Sequence, residues 1–172
     1  MKKIIALVLS LMLVLCSVAA LAEDVVYHGF GAYTTASSSS NATADGDGTV
    51  QVNTNMASVV VNADGTIVSI ILDTQQTKIK FNNAGEIVTD VTVPFPTKVE
   101  LKDGYNMRGA SPIGMEYFEQ IAGLENWLVG KTVADLKAAI EGKDETLLAV
   151  CTIKLGDIVI SIENAVNDAL GL

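Results

Sequence analysis

SPIGMEYFEQIAGLENWLVGKTVADLKAAI, residues 111–140, carries the clearest helical periodicity in the chain and decides its class. Ile113, Tyr117, Ile121, Leu124 and Leu128 recur at three- and four-residue spacing, while Glu116, Glu119 and Glu125 fall mostly off that stripe. Such spacing predicts a helix with one buried face. Ser111 is placed to accept an early helical N–H, Pro112 suits the first helical position, and Gly130 suits a left-handed stop. Thr132, with Asp135 three residues on, opens a second helix whose apolar side is Val133, Leu136, Ala139 and Ile140 and which runs to Gly142. The stretch is therefore expected to be two helices joined by a turn of a couple of residues.

Upstream of it the period changes from helical to alternating. VVYHGFGAYTT at 25–35 reads as a strand, and a Ser/Asn/Asp/Gly loop with no large apolar anchor follows at 36–48, expected to be mobile. Val50 and Val52 alternate against polar neighbours, whereas Val59, Val60 and Val61 are continuous, so a change of face with a bulge near Asn55 is expected. Asn62-Ala63-Asp64-Gly65 is a hairpin signal leading into a strand at 66–72. A further strand is expected at 78–81, a turn at Asn82-Asn83-Ala84-Gly85, and another strand at 86–93. Pro94-Phe95-Pro96 then begins a long loop at 94–110. Downstream, 144–153 is apolar and compatible with a strand, and Gly156-Asp157 opens a last helix with Ile158, Ile162, Ala165, Val166 and Ala169 on its buried side. Strands gathered before helices indicate an α+β fold, an antiparallel β-meander packed against the two-helix unit and a C-terminal helix.

Lys2 and Lys3 precede an apolar run, then Ala20-Leu21-Ala22 and Glu23-Asp24, the pattern of a secretion signal cleaved after Ala22. A membrane anchor is the alternative, although the run is shorter than the roughly 20 apolar residues a spanning helix needs. The expected organisation is a signal at 1–22 and a single domain at 23–172, secreted or extracytoplasmic and associated with the cell surface. Without Lys2 and Lys3 the chain has 9 basic against 20 acidic residues, 9 − 20 = −11. A charge of that sign excludes nucleic acid as a natural partner, because affinity for it comes from basic residues on phosphates. Cys16 lies in the signal, so Cys151 has no partner for an internal disulfide and reads as a small buried hydrophobe.

Catalytic patterns are sparse. His28 is the only histidine and sits in the first strand, which removes His-based triads and His-rich metal sites from the reading. His28-Gly29-Phe30-Gly31 reads as a twist or close packing in a strand rather than a phosphate cradle, and Asp45-Gly46-Asp47-Gly48 lacks the later ligands of a calcium loop. The loop at 94–110 carries Lys98, Lys102, Tyr105 and Arg108, read either as solvated side chains or, with Ser111 at the helix start, as the frame of an anion site.

Tyr27-x-Gly29-x-Gly31, the Asn-Ala-Asp-Gly hairpin, QTKIKFNNAGEI, TKVELKDGYNM and the helical unit together resemble secreted proteins of Gram-positive bacteria that are similar to the FMN-binding domain family. The resemblance implies FMN held by a phosphoester to a threonine in a Ser-Gly-Ala-Thr type motif before a helix, installed by a flavin transferase. The corresponding place here is Ala149-Val150-Cys151-Thr152, where the threonine alone matches. Thr152 is thus either the FMN attachment residue or an ordinary strand residue, with Tyr105, Arg108 and Ser111 as further contacts to a flavin or other small anion. The expected function is extracytoplasmic flavin carriage or electron transfer to a redox or cell-envelope protein, without independent catalysis. The alternative is a cell-envelope binding module that has lost flavin.

Overall fold

The computed structural model describes residues 25–172, so the expected secretion signal at 1–22 lies outside the described residues. Three strands, β1 (Val26–Thr35), β2 (Gly48–Asn62) and β3 (Ile67–Phe81), form an antiparallel sheet in the order β1-β2-β3. Helices follow: a single turn α1 (Lys98–Leu101), α2 (Tyr117–Leu128), α3 (Val133–Gly142), a short α4 (Glu145–Leu148) and the C-terminal α5 (Gly156–Leu170). The fold is α+β, with helices covering one face of the meander. No helix among the described residues is long and apolar enough to cross a membrane.

The hairpin at Asn62 to Gly65 forms as expected: Gly65 takes φ +80°, and its N–H donates to the Asn62 carbonyl at 2.9 Å. β3 continues without a break through Asp73 to Thr77, a polar stretch that pattern alone leaves out of the sheet. The chain does not change face at Asn55. Its pairing with Thr74 is in register, and the one irregularity of the ladder falls at Val60/Val61. Asn55, Ala57, Val59 and Val61 all point to the helical side, so the covered face of β2 is apolar in its second half and polar in its first.

No strand forms at 86–93. Ile87 makes one isolated bridge to Phe81, after which Thr89 Oγ1 takes the Lys80 N–H at 2.8 Å and Asp90 Oδ1 takes the Thr92 N–H at 2.9 Å. Side chains that satisfy backbone donors locally replace the ladder. The loop at 36–48 is likewise pinned, with Ser40 bridged to Thr49 and Ser39 Oγ accepting the Gln51 N–H at 3.0 Å. The segment 94–110 contains α1 and two 3-10 turns, Lys102–Tyr105 and Arg108–Ala110.

α5 lies directly on β1. A Cβ on Gly29 would sit 2.1 Å from the Ala165 carbonyl oxygen, and one on Gly31 would sit 2.2 Å from that of Ser161. These glycines therefore serve close packing, one of the two readings the sequence allows. The free edge of β1 is closed by α5 side chains: Phe30 N–H donates to Asp168 Oδ2 at 2.9 Å, and Asn164 Nδ2 donates to the Ala32 carbonyl at 3.1 Å. The other edge is closed by α2 and the turn after it, where Ile67 N–H donates to the Lys131 carbonyl and Leu72 N–H to Glu125 Oε1 at 2.7 Å. The stripe Tyr117, Ile121, Leu124 and Leu128 is buried to 2% exposure or less and meets Ile162 and Ala165 in one core.

Glu125 yields a testable pH effect. Desolvation beside the sheet edge raises its carboxyl above the ordinary 4.5, the Leu72 N–H opposes this, and Asp73 adds to it. A raised folded value contributes stability that is present below about pH 4.5 and lost as pH climbs through the folded value. Glu125→Gln keeps the acceptor for Leu72 and removes the charge. The variant is expected to melt above the parent at pH 7, with the gap closing by pH 4; equal melting temperatures at pH 7 would show that the charge carries no penalty.

Candidate functional site

The helix expected to open at Ser111 opens at Tyr117, with Glu116 as the flanking residue. Residues 111–114 are instead a turn, closed by Gly114 N–H on the Ser111 carbonyl with Gly114 at φ +65°. Glu116 is 2% exposed rather than solvated, because its carboxylate takes the N–H groups of Met107 and Arg108 at 2.8 and 2.9 Å. A carboxylate that gathers backbone donors from the preceding loop sets the helix start more firmly than a serine farther upstream.

The four residues expected to hold a cofactor all end on the first turns of α2. Tyr105 packs edge-on against Tyr117, ring centroids 5.4 Å apart, with the Lys98 ammonium 5.0 Å from both rings. Arg108 is held by Glu119 at 2.9 Å, by Asp103 at 3.1 Å and by the Gly114 carbonyl. Its guanidinium is driven still further up in pKa by those carboxylates, and Glu119 is held below the usual carboxylate range by the Glu116 N–H and then Arg108. Ser111 and Thr152 meet through Gln120, which is fully buried. Gln120 Oε1 accepts the Thr152 N–H at 2.8 Å and its hydroxyl at 3.1 Å, while Nε2 donates to Ser111 Oγ at 3.0 Å and to the Met115 carbonyl at 3.1 Å.

Thr152 is not in a strand. The apolar run before it folds as α4, because Asp144 Oδ1 caps the N–H groups of Thr146 and Leu147 at 2.8 and 3.0 Å. Thr152 is half-buried and lines an apolar crevice of about 220 Å³ with Leu147, Leu148 and Ile140. Cys151 beside it is buried and outside any disulfide, and burial pushes its thiol up, away from the reactive thiolate. Among the described residues no group of three His, Cys, Asp or Glu side chains is arranged to hold a metal.

A second site is one that the sequence pattern does not single out. Where the covered face of the sheet turns polar, Gln51, Asn53, Asn55, Thr74 and Gln76 line a cleft of about 240 Å³ between the sheet and the segment leading into α5. Lys98, Lys154 and Asp157 stand around it. Asn53 Oδ1 accepts both Gln76 Nε2 at 2.9 Å and Gln51 Nε2 at 3.2 Å. Thr74 donates its hydroxyl proton to Asn55 Oδ1 at 2.7 Å, so Tyr117 must be the donor in its 2.7 Å contact with Thr74. Burial raises the Tyr117 phenol well above its usual value and keeps that proton in place. The chain from Tyr117 through Thr74 fixes Asn55 with its carbonyl inward and its NH₂ toward the cleft. Asn55 is 6% exposed, its Nδ2 has no partner among the described residues, and no fully enclosed side-chain polar atom there is left unsatisfied. The NH₂ therefore opens on the cleft.

A larger groove of about 640 Å³ lies beside Trp127, Lys131 and Asp135. Asp135 holds Thr132, Trp127 Nε1 donates to Thr146 Oγ1, and Lys131 donates to the Trp127 carbonyl.

No family model matches the chain, and no curated protein or solved structure matches it significantly.

Proposed function

We propose that this chain is an extracytoplasmic binding domain of the cell envelope with no catalytic step of its own. The observation that carries the reading is the Asn55 NH₂, anchored from behind by Thr74 and Tyr117 and open to a polar cleft. A donor positioned by buried groups is the preorganised arrangement that ligand binding rewards. The histidine and the cysteine lie away from the cleft: His28 is exposed on β1, and Cys151 is a buried thiol.

Flavin carriage on Thr152 is the second reading, supported by the position of its hydroxyl at a crevice four residues before α5. Against it, the hydroxyl donates to Gln120, a carboxamide that cannot take the proton away. The intact mass of the chain secreted from cells containing a flavin transferase separates the two. Under the binding-domain reading the mass is that of the unmodified chain and the denatured band shows no flavin fluorescence. An added FMN mass that disappears in Thr152→Val would replace that reading with covalent flavin carriage.

A further inference from the structure

We infer that the amide cleft binds a neutral, hydroxyl-rich ring, a single sugar unit, through Asn53, Asn55 and Gln76. The inference rests on the binding-domain reading and adds the ligand class. Both faces of hydrogen-bonding chemistry are on offer in the cleft. Among the described residues, the NH₂ groups of Asn53 and Asn55 are free donors and the carbonyl oxygens of Gln51 and Gln76 free acceptors, because each amide uses its other end within the protein. A hydroxyl donates and accepts at one atom, so adjacent ring hydroxyls satisfy such a mixed array. An ionised carboxylate or a fully ionised phosphate ester accepts only. It would leave the Gln51 and Gln76 oxygens unpaired, and of the two lysines at the cleft Lys98 is placed over the Tyr105 and Tyr117 rings while Lys154 is offset by Asp157, which stands in the first turn of α5 and on the cleft wall. The negative side chain occupies the place where a helix start would otherwise favour an anion.

Size narrows the class further. A cleft of about 240 Å³ lies below the roughly 300–1,000 Å³ of sites that enclose drug-sized ligands. It admits one six-membered ring and its substituents, and a larger ligand would extend out of it into solvent. The apolar side chains of Ile153 and Ile158 lie opposite the amides and supply a surface for the C–H face of the ring.

The test is a titration of the secreted chain, isotopically labelled, with glucose, N-acetylglucosamine, inorganic phosphate and FMN, following the side-chain NH₂ resonances of Asn53, Asn55 and Gln76. At least one of the two sugars is expected to move all three, saturating at millimolar concentration. Asn53→Ala and Gln76→Ala, both at half-buried positions, are each expected to weaken that sugar about tenfold, the worth of one net hydrogen bond. Shifts with phosphate or FMN but not with the sugars would overturn the ligand class and leave the binding-domain reading standing. Sugar binding that both alanine variants retain unchanged would overturn the site. No shift with any of the four probes would overturn the ligand class together with the reading beneath it.

Discussion

Gly31→Ala is expected to lower stability by about 3 kcal/mol or more, the upper end of what overpacking a core costs. The added Cβ would meet the Ser161 carbonyl oxygen at 2.2 Å and the Ala165 backbone nitrogen at 2.3 Å, and helix backbone cannot rotate aside as a side chain can. α5 would have to lift from β1, loosening Ile162 and Ala165, both fully buried, and the Phe30 bond to Asp168. For a domain whose net stability is of order 5–15 kcal/mol, such a loss is a large fraction of the whole. Gly104→Ala is the matched control, since a Cβ there would meet nothing within 4 Å and the residue has no positive φ. Urea unfolding should show a large drop in midpoint for Gly31→Ala and little change for Gly104→Ala. Equal midpoints would mean that the helix does not rest on the glycine.

Gln120→Leu is the second large effect, expected to cost about 3 kcal/mol or more although it preserves side-chain bulk. Four hydrogen bonds converge on this carboxamide, and its loss leaves the Thr152 N–H and hydroxyl and the Met115 carbonyl without their partner, while Ser111 Oγ keeps only the Met115 N–H at 3.3 Å. Each buried group left unsatisfied costs roughly 1–3 kcal/mol, moderated here because Ser111 and Thr152 are half-buried and gain water. Thr152→Val removes one of the two donors to Gln120 Oε1 and keeps the backbone one, so its cost should be about 1 kcal/mol. The ratio of the two losses is the discriminating quantity. If Gln120→Leu unfolds at the same denaturant concentration as Thr152→Val, the network does not hold the loop to the helix.

Local chemistry was legible wherever neighbours in sequence are also neighbours in space. The hairpin at Gly65, the capping box of Thr132 and Asp135, the left-handed Gly130 and the stripe of α2 all follow from residues within one or two turns of each other. The readings that changed depended on distant partners. Ser111 has the chemistry of a cap, yet Glu116 starts the helix because Met107 and Arg108 bring their N–H groups to it. The strand expected at 86–93 has suitable residues, but Thr89 and Asp90 satisfy the donors that a ladder would use. Polar residues in β2 and β3 read as a change of face or a gap between strands. Carrying the inward register back from Val59 through Ala57 to Asn55, Asn53 and Gln51 would have exposed the cleft, and this was the signal available in the sequence.

The sequence by itself determined the α+β class, the covering of a meander by amphipathic helices and the acidity of the chain, because these depend on period and composition. Only the tertiary structure decided which polar groups are spent and which remain free. Arg108 and Ser111, candidate ligands in isolation, are taken up by Asp103, Glu119 and Gln120, while the amides of Asn53 and Asn55, which the sequence did not mark as ligands, keep free donors in a cleft. The reason is physical: a side chain's capacity to bind is what its folded neighbours leave unsatisfied, and those neighbours come from across the chain.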